Sequence, residues 1–91
     1  MFLQIKSHNV VIHELDIDKT RIDYVEDGNN ILGLSIGKDG SNDHTVYPSP
    51  DFTFHIKGFG TALSPKTIKK IYDMPKPRSL SEVSQIIKDQ A

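Results

Sequence analysis

The chain has 91 residues, no cysteine and a formal net charge of −1. That length suits one domain with a modest core, and the lack of thiols excludes disulfides and thiolate metal sites and fits a reducing compartment. No apolar run approaches the roughly 20 residues that cross a bilayer, and residues 1–6 lack the pattern of a secretion signal, so a cytoplasmic protein with no membrane partner is expected.

Charge is divided along the chain. Residues 1–54 carry nine carboxylates against four Lys and Arg, a net of −5, and residues 55–91 carry three against seven, a net of +4. Such asymmetry points to a charged surface that meets a partner. Isoleucine occurs 11 times and alanine twice, which favours strands over helices. The same usage follows from AT-rich coding, as in many low-GC bacteria, phages and plasmids.

The first sixty residues read as strands. Val11, His13, Leu15 and Ile17 share one face of a first strand, and Asp16 to Thr20 make the following turn. Ile22 and Tyr24 alternate with Arg21 and Asp23; Asp27-Gly28-Asn29-Asn30 is a turn; Leu32, Leu34 and Ile36 share a face. Two alternating runs around a Gly/Asn turn predict a hairpin, and with the preceding strand an antiparallel meander. Gly37 to Asp43 reads as a polar loop and His44 to Tyr47 as a short strand, ended by Pro48-Ser49-Pro50. Phe52, Phe54 and Ile56 alternate in a last strand, which Gly58-Phe59-Gly60 ends.

Two short helices are predicted in the remainder. Ser64-Pro65 is an N-cap followed by proline at the first helical position, with Ile68, Ile71 and Tyr72 on one side and Lys66, Lys69, Lys70 and Asp73 on the other. Met74-Pro75-Lys76-Pro77 stops this helix. Ser79-Leu80-Ser81-Glu82 has the capping-box pattern, and Leu80, Val83, Ile86 and Ile87 form a stripe. Helices this short are unstable alone in water, so their stripes must lie on the sheet. The expected fold is a single α+β domain over 1–91, β-rich over 1–60 and helical over 61–91: an antiparallel sheet of about five strands followed by two short C-terminal helices packed on it. A small bent β-barrel with C-terminal helices is the alternative. The expected core is Ile12, Leu15, Ile22, Tyr24, Leu32, Leu34, Ile36, Phe54, Ile56, Ile68, Ile71, Leu80, Val83, Ile86 and Ile87.

Several short patterns bear on chemistry. Lys57-Gly58-Phe59-Gly60 resembles the first half of the RNP1 motif of RNA-recognition domains, where a basic residue and exposed aromatics contact RNA. The resemblance covers four residues. Thr61-Ala62-Leu63-Ser64 follow where that family carries a second aromatic, and strand patterns fill the place of its first helix, so membership is not assigned. The tetrapeptide then reads as a strand end whose glycines allow a tight bend. Asp39, Ser41 and Asp43 have the alternate-oxygen spacing that hard cations accept, yet His44 and Pro50 stand where a calcium loop needs glycine and glutamate. Asp16-Ile17-Asp18-Lys19-Thr20 is similar to the nucleophile loop of haloacid-dehalogenase-like phosphatases, whose fold needs a far longer chain. No nucleophile elbow, P-loop or dinucleotide fingerprint occurs. Among histidines 8, 13, 44 and 55, strand geometry offers one pairing, His13 with His55, joined by Glu14 or Asp51. No catalytic, cofactor-binding or metal residue is therefore assigned, and no cofactor is expected.

Two functions are favoured over a third, an enzyme, which would need His13 or His55 beside a carboxylate. One is a small non-enzymatic protein-interaction or regulatory module, acting through a charged surface or through an exposed strand edge that takes a protein partner or a second copy. The other is binding of RNA or DNA through the basic C-terminal face. Lys57, Phe59, Lys66, Lys69, Lys70, Lys76 and Arg78 are the candidate binding residues for either.

Overall fold

The computed structural model describes residues 1–37, 44–47, 49 and 51–90. The predicted polar loop with Asp39, Ser41 and Asp43, and prolines 48 and 50, lie outside the described residues. Strand β1 (Phe2–Ser7) pairs with β2 (Val10–Asp16) on one side and β6 (Thr53–Ile56) on the other, and β7 (Ala62–Leu63) follows β6. This gives a sheet of order β2-β1-β6-β7. Strands β3 (Arg21–Asp27), β4 (Asn30–Gly37) and β5 (His44–Val46) form a second sheet in that order. All the pairings are antiparallel. Helices α1 (Pro65–Asp73) and α2 (Leu80–Asp89) complete the chain. The class is α+β, with antiparallel strands followed by C-terminal helices, and no barrel closes among the described residues.

Two features correct the expected sheet. It is divided into two sheets, and the expected meander is broken because β2 and β3 belong to different ones. The turn at residues 17–20 therefore carries the chain from sheet to sheet. Asp18 N–H bonds the Asp16 carboxylate at 3.1 Å, and Ile17 is buried in the core. The second correction is β1, which sequence reading passed over and which lies inside its sheet. Its residues alternate: Leu3 and Ile5 face the core, while Gln4 and Lys6 lie on the other face beside His55 and Thr53. The β1–β2 turn is His8-Asn9, both at positive φ (50° and 65°), the backbone a two-residue hairpin needs. The predicted β3–β4 hairpin is present, with Gly28 at φ 59° in its turn.

Both helices start where their caps predict. Ser64 Oγ accepts the Thr67 N–H and Ser79 Oγ accepts the Glu82 N–H, each at 3.2 Å. These bonds satisfy amides that have no partner inside the helix. The core joins Leu3, Ile5, Phe54 and Ile56 of the first sheet with Ile22, Leu34 and Ile36 of the second. Ile68, Ile71, Val83 and Ile87 cover them from the helices. Removing each such side chain from water contributes about 1.5–3 kcal/mol. No helix among the described residues is long and apolar enough to cross a membrane.

Candidate functional site

The seven predicted binding residues divide between two places. Lys57, Phe59, Lys76 and Arg78 line one cleft of about 680 Å³, together with Phe2 and Leu80. Strand β1 presents Phe2, the β6–β7 turn presents Lys57 and Phe59, the α1–α2 connector presents Lys76 and Arg78, and the first residue of α2 presents Leu80. The turn takes this shape because Gly58 and Gly60 sit at φ 93° and 67°. Leu80 belongs to the predicted apolar stripe, but it stands at the helix end, overhangs the cleft and is 69% exposed. Phe2 is also exposed, and Phe59 packs its ring partly against the core.

The charges around the cleft are held unequally. Arg78 is engaged within the fold: its side chain is 2% exposed. Its Nε donates to the Ile71 carbonyl at 2.8 Å, Nη2 donates to the Tyr72 carbonyl at 3.0 Å, and Nη1 pairs with the Asp18 carboxylate. The guanidinium thus adds a charged donor to the Ile71 carbonyl, which also accepts the Met74 N–H at 3.2 Å, bonds the Tyr72 carbonyl, and ties the connector to the β2–β3 turn. Lys57, 60% exposed, lies 3.7 Å from Glu14 Oε1 and 5.7 Å above the Phe2 ring. Exposed contacts of these kinds each contribute up to about 1 kcal/mol. Lys76 Nζ donates to the Asp18 carbonyl at 3.0 Å and has no carboxylate within 4.0 Å among the described residues.

Lys66, Lys69 and Lys70 gather elsewhere, around a depression of about 440 Å³ that they share with Glu26, Asp73 and the Gly28-Asn29 turn. Lys69 Nζ lies 3.3 Å from Glu26 Oε1 and 5.1 Å above the Tyr24 ring. Two carboxylates therefore stand among the three lysines. Burial, with Asp73 nearby, raises the pKa of the Tyr24 hydroxyl above the ordinary phenol value.

The β7 edge is covered by Gln90, whose Nε2 donates to the Ala62 carbonyl at 2.8 Å. The β3 edge carries Arg21 paired with Asp23 at 2.8 Å. The β2 edge exposes Val10, Val11 and Ile12, and it is blunted by a bulge and by Glu14 and Asp16. His13 and His55 lie on opposite faces of their sheet, because His13 pairs with Ile5 and His55 with Gln4, adjacent residues of β1. The two imidazoles therefore do not meet across the sheet. His55 Nε2 meets Thr53 Oγ1 at 2.9 Å, while its Nδ1 is buried without a partner among the described residues.

Sequence reading missed Phe2 and placed Leu80 in the core. The alternation of Leu3 and Ile5 with Phe2, Gln4 and Lys6 was the available signal for Phe2. For Leu80 the helical period gives the side of the helix but not where the covering layer ends. Comparison with protein-family models, with curated proteins and with solved structures finds no match.

Proposed function

We propose that this protein is a small non-enzymatic interaction module that receives a segment of a partner protein in the Phe2–Phe59–Leu80 cleft. The observation that carries this reading is the exposure of Phe2 and Leu80 around one concave apolar surface, beneath two loosely held lysines. An apolar centre with a polar rim is the anatomy of a protein interface. Leaving Leu80 in water gives up burial that its helical stripe makes possible, and a partner restores it.

Nucleic-acid binding draws less support. Its seven candidate residues are split between two depressions that share no lining residue, and Glu26 and Asp73 stand among the helix lysines. Arg78 is engaged with α1 and Asp18. A selection from an unbiased displayed-peptide library tests the reading. Peptides recovered on the native protein should fail to bind Phe2→Ser and Leu80→Ser variants that remain folded. Recovery of peptides indifferent to both substitutions would overturn it, as would an RNA oligonucleotide that occupies the cleft in place of every peptide.

A further inference from the structure

We infer that the segment received by the cleft is apolar at its centre and acidic at its flanks, and that Glu14 occupies one acidic position until the partner arrives. This rests on the cleft reading above and adds the chemistry of the partner. The interior of the cleft is no anion receptor, because the Arg78 charge is already answered by Asp18 and by the α1 carbonyls. The exchangeable positive charge is carried by exposed lysines, Lys57 in a long ion pair with Glu14 and Lys76 on a backbone carbonyl. It comes from two different elements, Lys57 at the β6–β7 turn and Lys76 in the connector, so a segment in the cleft can present a separate carboxylate to each.

The Lys57 side shows the arrangement in miniature. Its ammonium lies over the Phe2 ring with a carboxylate beside it, Glu14 Oε1 at 3.7 Å. That distance is long for an ion pair, and both side chains face solvent, so exchange of Glu14 for an incoming carboxylate costs little. Glu14 has a second bond, accepting from Gln4 Nε2 through Oε2 at 2.8 Å, that holds it on the sheet when Lys57 is released. On the connector the ammonium of Lys76 donates to a neutral carbonyl, and a carboxylate would add the stronger, charge-assisted bond.

The test uses a fluorescent peptide with a Phe and a Leu between aspartates, its asparagine counterpart and its lysine counterpart, read by polarisation on the whole protein. The aspartate peptide should bind about tenfold more tightly than the asparagine peptide at low salt, and the gap should close as salt rises. Joint Lys57→Glu and Lys76→Glu replacement should transfer the preference to the lysine peptide. Glu14→Gln should tighten the aspartate peptide and leave the asparagine peptide unchanged, a gain that a damaged fold cannot produce. Equal binding of aspartate and asparagine peptides, both lost in Leu80→Ser, would overturn the acidic chemistry while the cleft stands. Aspartate-peptide binding that persists in Leu80→Ser and Phe2→Ser would overturn the cleft itself. Absence of binding by all three peptides would overturn the inference as well.

Discussion

Arg78 shows how one residue can look like a binding group in sequence and act as a fastener in the fold. It serves two carbonyls of α1 and the carboxylate of Asp18 at once, from a nearly sealed position. Arg78→Ala should lower unfolding stability by about 2–3 kcal/mol, read from the urea midpoint, because the carbonyls lose a charged donor. Arg78→Lys should recover little of this, since one ammonium cannot span three acceptors held for a planar fork. His55 makes the second residue-scale prediction. Burial, with Lys6 nearby, holds its pKa below the ordinary 6.5. The unfolded chain therefore takes up the proton first as pH falls. The stability contributed by neutral His55 is complete above pH 6.5 and is lost as pH drops through the lowered value. Thermal unfolding followed from neutral to mildly acid pH should show this slope, and His55→Gln should flatten it.

At the scale of elements, the helices and the β3–β4 hairpin were legible because their signals are local. Ser64-Pro65 and Ser79-x-x-Glu82 name the caps, and Asp27-Gly28-Asn29-Asn30 names the turn. What resisted was the face that individual residues show. Ile12 and Leu32 were both expected in the core, and both are exposed, at 43% and 45%. Each is the extra residue of a bulge. Register steps from His13 to Val11 opposite Ile5 and Lys6, and from Gly33 to Ile31 opposite Val25 and Glu26. A bulge shifts the period of two by one residue, which no count of alternation reveals. The division into two sheets was hidden for a related reason, since a turn between strands does not say whether they pair. Leu3 and Ile5 follow a period of two that residues 2–6 do carry, whereas Ile17 and Leu63 sit in the crossing turn and in two-residue β7, which are too short for a periodic signal. Gly33 carries a consequence for the second sheet. A Cβ there would stand 2.7 Å from the Val46 carbonyl oxygen and 2.9 Å from Tyr47 Cδ1. Gly33→Ala should therefore push β5 from β4 and cost about 1–3 kcal/mol, measured as a lower melting temperature. On α2, Leu80→Ala should change stability by no more than about 0.5 kcal/mol, whereas Ile87→Ala should cost about 2–5 kcal/mol.

At the scale of the whole molecule, the division of charge along the chain acquires an internal meaning. Lys57 meets Glu14, Lys69 meets Glu26 and Arg78 meets Asp18, so each of these pairs joins the basic C-terminal part to the acidic N-terminal part. Much of what a linear count reads as a surface for a partner is therefore complementarity between two parts of one fold. Subtracting these pairs leaves Lys76 on the cleft, Lys66 and Lys70 on the second depression and Lys88 in the last turn of α2, while the weakly held Lys57 is open to exchange at the cleft. The central claim is that a partner enters between Phe2, Phe59 and Leu80. The most direct measurement is backbone amide NMR during titration with the aspartate-flanked peptide. The account predicts shifts concentrated at Phe2, at residues 57–60 and at residues 76–80. Shifts centred instead on Lys66, Lys69, Lys70 and Glu26, or on Val10–Ile12 of β2 away from Glu14, would contradict it.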